Sequence, residues 1–200
     1  MLRGQYSLTL QAAAPEGEAE VYVELVDASS GEFLARTVLD GVRVLPRARL
    51  FATTPTRPLA KEFDRKIRLL GYDLAGGQGK LTMDVPQIAP GAELIVTAHW
   101  QAMAQMSTSY TVFAQVLDGS GRLVAQHDSL PQNGKAPTTA WVEGEAVPDE
   151  HVIPIPVDLP QGDYTVITGV YDATTGKRLS VEGGGDFVAL AKLHLAVPSK

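Results

Sequence analysis

The sequence contains no cysteine. That excludes disulfides, a thiolate metal site and a cysteine nucleophile, while leaving the cellular compartment open. No apolar run approaches the about 18–20 residues that a membrane span needs, and the opening residues Met1 to Tyr6 (MLRGQY) lack the apolar centre of a signal peptide. The chain is therefore expected to be soluble. A basic excess is also missing. The formal charge of −6 argues against nucleic acid as a partner, because a phosphate-binding surface normally carries surplus lysine and arginine. The imbalance is local: from Arg43 to Arg68 eight basic residues face only Glu62 and Asp64, a local +6, so the remainder carries −12.

What the chain does have is turn chemistry. Tyr110 to Asp128 (YTVFAQVLDGSGRLVAQHD) holds two alternating segments around Asp118-Gly-Ser-Gly121, whose residues tolerate positive φ, and so reads as a β-hairpin. The same signature recurs at Asp27-Ala-Ser-Ser-Gly31 and Asp172-Ala-Thr-Thr-Gly176. An internal repeat places Leu10-Gln-Ala12 on Trp100-Gln-Ala102 and Val26-Asp27 on Leu117-Asp118. The repeat also makes Ala102 to Ser109 a loop, because its counterpart contains Pro15 and Gly17.

Strands are expected at Tyr6–Gln11, Glu20–Asp27, Phe33–Leu45, Ile67–Leu74, Lys80–Val85, Glu93–Trp100, Tyr110–Leu117, Leu123–Asp128, Val147–Val157, Asp163–Tyr171, Arg178–Val181 and Phe187–Val197. Thirteen prolines and nineteen glycines leave little room for helix beyond a turn at Leu59–Asp64. The fold class is all-β: an antiparallel β-sandwich, Ig-like or jelly-roll, over residues 67–197, with a smaller β unit over 1–45. Between them the proline-containing basic stretch 46–66 reads as a linker. Three or four strands alone are marginal, so the small unit is expected to pack on the larger.

The order IRLLGYDL, HWQA, YTVFAQVLDGSGRLVAQHD, a proline loop to Trp141, then DEHVIPIPVDLPQGDYTVITGVYDATTGKRL resembles a soluble C-terminal domain of bacterial membrane glycosyltransferases. Those polytopic enzymes resemble the dolichyl-phosphate-mannose protein mannosyltransferases and are found especially in filamentous green bacteria. The resemblance covers most of residues 50–197 and rests on turn and core residues. It implies an excised extracytoplasmic module, attached to the membrane in its parent. The catalytic acids lie upstream in that family, so no glycosyl-transfer role falls on any residue here.

The densest polar cluster joins His127, Asp128, Trp141, Asp149 and His151. Histidine and carboxylate on neighbouring strands can hold a divalent ion or polarise water, and a tryptophan can stack on a sugar ring. The plainer alternative is that Trp141 plugs one end of the sandwich while Asp128 and Asp149 accept loop amides. Trp141 and His151 are expected close together at that end. His151 should lie exposed on an edge strand, because Pro148, Pro154 and Pro156 restrict its segment.

No G-x-S-x-G, H-E-x-x-H or P-loop occurs, and Glu143 and Glu145 lie in a turn-rich loop. Each Asp-to-Gly turn offers one carboxylate where calcium needs several oxygens. No cofactor or resident metal is expected. The favoured function is a non-catalytic accessory module binding glycan or lipid-linked sugar. A purely structural spacer is the alternative, and an enzyme in its own right comes third. The Arg43–Arg68 stretch is the candidate contact to an anionic membrane surface or a neighbouring domain.

Overall fold

The structure, a computed structural model, describes residues 16–44, 48–76 and 79–196, which divide into two compact units between Ala48 and Arg49. The strand expected at Tyr6–Gln11 lies outside the described residues.

In the first unit, β1 (Gly17–Val26) and β2 (Phe33–Val44) form an antiparallel two-stranded sheet. Their turn forms because Asp27 Oδ1 accepts the amides of Ser29 and Ser30, both at 2.9 Å, while Gly31 adopts φ +72°.

The second unit holds β3 (Arg57–Phe63), β4 (Ile67–Gly76), β5 (Gly79–Lys80), β6 (Gln87–Ile88), β7 (Glu93–Ala102), β8 (Tyr110–Leu117), β9 (Leu123–Ser129), β10 (Ala146–Pro154), β11 (Gly162–Asp172) and β12 (Val188–Leu195). One sheet runs β10-β7-β4-β3, with β5 on β4, and the other runs β6-β12-β11-β8-β9. All pairings are antiparallel except β6 with β12.

Alternation builds the core. Leu94, Val96, Ala98 and Trp100 of β7 meet Val112, Ala114 and Val116 of β8 and Val166 and Val170 of β11 in one buried cluster. Phe63 and Trp100 add an edge-on ring contact at 5.5 Å, and the Tyr72 hydroxyl crosses between sheets to donate to the Leu190 carbonyl. The chain is thus an all-β protein with a β-sandwich.

The strand expected at Lys80–Val85 is only the pair Gly79–Lys80, followed by bends, and two further expectations need correction. Residues 57–63, inside the stretch read as linker and partly as a helical turn, are strand β3, paired with β4. Leu59, Phe63 and Ile67 have helical spacing, but Asp64 and Arg65 take φ of 47° and 54°, and Lys66 N–H donates to the Phe63 carbonyl at 2.9 Å. Those are the marks of a tight hairpin turn, and they place Phe63 opposite Ile67 with both in the core. Secondly, Arg178–Val181 forms single bridges, Tyr171 to Arg178 and Phe63 to Val181, and Thr138–Ala140 is a short 3₁₀ turn.

Candidate functional site

Strand β9 closes one edge of its sheet and β10 one edge of the other, and successive residues of β9 look opposite ways. His127 stands opposite Ala114, a core residue of β8, and therefore faces the interior. Asp128 stands opposite Phe113, on the outer face. The five candidate residues consequently separate into three environments.

Trp141 is fully buried, and its indole N–H donates to the Ala136 carbonyl at 2.8 Å. It is a core plug, which overturns the sugar-stacking role: no ring face is left for a ligand. Asp149 and His151 are also fully buried. Strand β10 is the edge strand expected, but its register sets Asp149, His151 and Ile153 against Ala98, Val96 and Leu94 of β7, all inward. His151 is therefore not available at the surface.

What these residues do form is an internal chain. Asp149 Oδ1 accepts the Gln132 amide at 2.7 Å, and its Oδ2 lies 2.9 Å from His151 Nε2. His151 Nδ1 lies 3.0 Å from His127 Nδ1 and 3.2 Å from the His127 carbonyl. These separations set His151 between Asp149 and His127 in one hydrogen-bonded chain. Burial and the neighbouring His151 hold the His127 pKa below its ordinary value, against the pull of Asp149 and Asp128. The chain ties β9 to β10 across the open side of the sandwich. Among the described residues no group of three or more His, Asp or Glu is arranged to hold a metal ion.

On the outer face Asp128 belongs to a different set. It lies beside Tyr171, whose pKa is raised by burial first and by the Asp128 charge second. Phe113 and Tyr171 rings lie 6.3 Å apart, and the Arg178 guanidinium covers Phe113 at 4.2 Å. Arg178 also reaches Gln115 Oε1 at 3.4 Å and Asp186 Oδ1 at 3.5 Å, and Gln115 donates to Gln126 at 3.2 Å. This close packing requires Gly169, where a Cβ would fall 2.4 Å from the Phe113 ring. Asp128 Oδ1 is buried without a hydrogen-bond partner. Burial pushes the Asp128 carboxyl up, outweighing the Tyr171 bond and the charges of His151 and Arg178.

Sequence reasoning singled out Asp128 but missed Tyr171, Arg178, Gln115 and Gln126. The available signal was the alternation of β8, which puts Phe113 and Gln115 on the face away from Val112 and Val116. A second arrangement was missed altogether. On the other sheet, Thr53 Oγ1 contacts His99 Nδ1 at 2.5 Å, His99 Nε2 lies 2.7 Å from Asp73 Oδ2, and Thr56 donates its amide to Asp73 Oδ1 at 2.8 Å. It anchors the segment before β3 onto the sheet face.

Glu145 of the turn-rich loop is fully buried, accepting from Arg49 and from the Val142 amide at 3.1 Å. The basic stretch is largely engaged internally. Arg49 pairs with Glu145, Arg68 with Glu62 at 2.6 Å, Lys66 donates to the Tyr110 hydroxyl at 2.8 Å, and Arg57 binds the Met83 carbonyl.

Two sheets enclosing one core, with polar side chains grouped on an outer face, define a β-sandwich domain. Among solved structures the chain is similar to the C-terminal domain of Wzt, with a TM-score of 0.50 at 13% identity over 72% of this chain and 84% of that one. At that identity the likeness is one of fold. No family model matches the sequence, and no curated protein matches it.

Proposed function

We propose that the protein is a non-catalytic glycan-binding module, and that it binds through the outer face of the sheet β6-β12-β11-β8-β9 around Tyr171. The observation that carries the reading is the grouping there of a partly exposed aromatic ring, a guanidinium, an exposed amide and a carboxylate: Tyr171, Arg178, Gln126 and Asp186. Sugars present alternating C–H faces and hydroxyls, and such a set meets both, the ring by stacking and the polar groups by hydrogen bonds.

Asp128 acts beneath the surface by fixing the Tyr171 phenol. Its unpartnered oxygen is an acceptor that a ligand hydroxyl can satisfy when the phenol turns aside. The resemblance to accessory domains of membrane glycosyltransferases supports a glycan or lipid-linked sugar as ligand and an extracytoplasmic setting beside a membrane enzyme. Among the described residues no helix is long and apolar enough to cross a membrane.

Calorimetry and a glycan array provide the test. Neutral and uronic-acid oligosaccharides should bind the wild type, and Tyr171→Ala should weaken binding at least about tenfold, or 1.4 kcal/mol, with an unchanged melting temperature. No glycan bound, or equal binding by the variant, would reject the reading in favour of a structural spacer.

A further inference from the structure

The sequence contains a single asparagine, Asn133, and a glycine follows it. Both are exposed in the turn that leads from β9 toward Trp141, between the buried Pro131 and Ala136. The turn winds left-handed. Gln132, Asn133 and Gly134 take φ of 54°, 53° and 85° in succession, a region that glycine enters freely, asparagine less so and glutamine at a cost. Its hydrogen bonds are long. Gly134 N–H is shared between the Leu130 and Pro131 carbonyls at 3.1 and 3.2 Å, Lys135 N–H reaches Gln132 O at 3.2 Å, and Ala136 N–H reaches Pro131 O at 3.1 Å. A strained turn with weak bonds opens locally with ease.

The same turn holds the buried chain between β9 and β10. Gln132 donates its amide to Asp149 Oδ1 at 2.7 Å and its side-chain Nε2 to the Pro148 carbonyl at 3.0 Å. Asp149 in turn meets His151, and His151 meets His127.

We propose that Asn133 is a site of spontaneous covalent modification, with the Gly134 amide as nucleophile, and that its isoaspartate product releases Gln132 from Asp149. The Gly134 nitrogen, giving its proton to hydroxide, attacks Asn133 Cγ. The bond from Cγ to the side-chain nitrogen breaks, and that nitrogen leaves as ammonia with a proton from water. The succinimide ring then takes up water: opening at Cγ leaves aspartate, and opening at the main-chain carbonyl leaves isoaspartate, whose backbone runs through Cγ. Water and hydroxide are the only co-reactants. Glycine suits the attack because it brings no Cβ to crowd the closing ring, and beyond its chain neighbours no atom lies within 4 Å of where that Cβ would be. Isoaspartate inserts an extra backbone carbon directly after Gln132, inside the loop that the Ala136 bond to Pro131 closes. The Gln132 amide is thereby displaced, and the fully buried Asp149 loses a donor.

The test ages the isotope-labelled full chain in warm, mildly alkaline buffer beside a synthetic peptide of residues 130–136. Peptide mapping should find conversion of Asn133 to the acid, isoaspartate in excess, at a rate within about 100-fold of the peptide's. In the aged protein the Gln132 amide should exchange at least about tenfold faster, and the His127 and His151 ring resonances should shift in proportion to isoaspartate. Asn133→Gly, which suits the left-handed turn, should stay unmodified and keep those resonances in place. Freshly made Asn133→Asp should keep them too, which separates the inserted carbon from the added charge. An Asn133 that persists in the protein while the peptide converts would overturn the site. Conversion with Gln132, His127 and His151 unmoved, or equal shifts in Asn133→Asp, would overturn its effect on the buried chain.

Discussion

At the scale of single residues, the two neighbours His127 and Asp128 show how one step along a strand decides chemistry. His127 points inward to a hydrogen-bonded chain ending at Asp149, while Asp128 points outward under Tyr171. Burial raises the Asp128 pKa in the folded state above its unfolded value near 3.8. Such a group favours folding fully below that value, and the benefit is lost as pH rises through the folded pKa, so at neutral pH its charge is a burden. Asp128→Asn keeps an acceptor for Tyr171 without the charge. It is expected to raise the melting temperature at pH 7 by about 2–4 °C, with the difference vanishing below pH 3.8. Melts of both proteins across that range check it, and a variant less stable at pH 7 would contradict it.

At the scale of elements, the hairpin β3–β4 depends on one glycine. Gly71 sits at the register shift between Leu69 and Gly71 with φ +152°, and a Cβ there would lie 2.5 Å from the Arg57 carbonyl oxygen. Because the obstacle is backbone rather than a side chain, it cannot swing aside. Gly71→Ala should cost about 1–3 kcal/mol and loosen β3 from the sheet, read as faster amide exchange over residues 57–63. Loss of stability with β3 still protected would argue that the strain is absorbed elsewhere. Sequence made the strands around this hairpin legible but not the hairpin itself, since Asp64-Arg65 is not a usual tight-turn pair and the spacing of Leu59, Phe63 and Ile67 fits a helix equally well. The three Asp-to-Gly turns were legible because each is self-contained. Asp118, for example, is lowered to about 2, first by the Ser120 hydroxyl and then by the Arg122 amide, all within four residues.

At the scale of the whole molecule, these groups combine into a two-stage response to acid. His127 has a folded pKa below its ordinary 6.5, from burial first and His151 second. Its neutral form therefore stabilises the fold fully above pH 6.5, and that contribution is lost as pH falls through the folded value. Asp118 is lowered by the Ser120 hydroxyl and Asp172 by the Thr174 amide. At Asp73 the bonds from Thr56 and His99 outweigh a burial effect that acts to raise it. These carboxylates stabilise above pH 3.8 and release that stability as pH drops further. Denaturant titrations should therefore show stability declining first below pH 6.5 and again below pH 3.8. His127→Gln should remove the first stage alone, whereas a wild-type profile flat from pH 7 to 5 would refute the assignment.

By itself the sequence determined the local structure: alternation with period two and turn residues at Asp27, Asp118 and Asp172 act over a few residues and need no distant partner. It therefore fixed an all-β chain, the bounds of Tyr110–Leu117 to the residue, and Asp128 as a residue of interest. Only the tertiary structure decided which face of each strand is inside, because that depends on pairings between segments far apart. Asp149 and His151 are buried because β10 registers on β7, Trp141 because its loop returns into the core, and Asp128 meets Tyr171, 43 positions away, because β8 lies between β9 and β11. A side chain's identity is local, but its burial, and with it its charge and availability to a ligand, belongs to the assembled sheets.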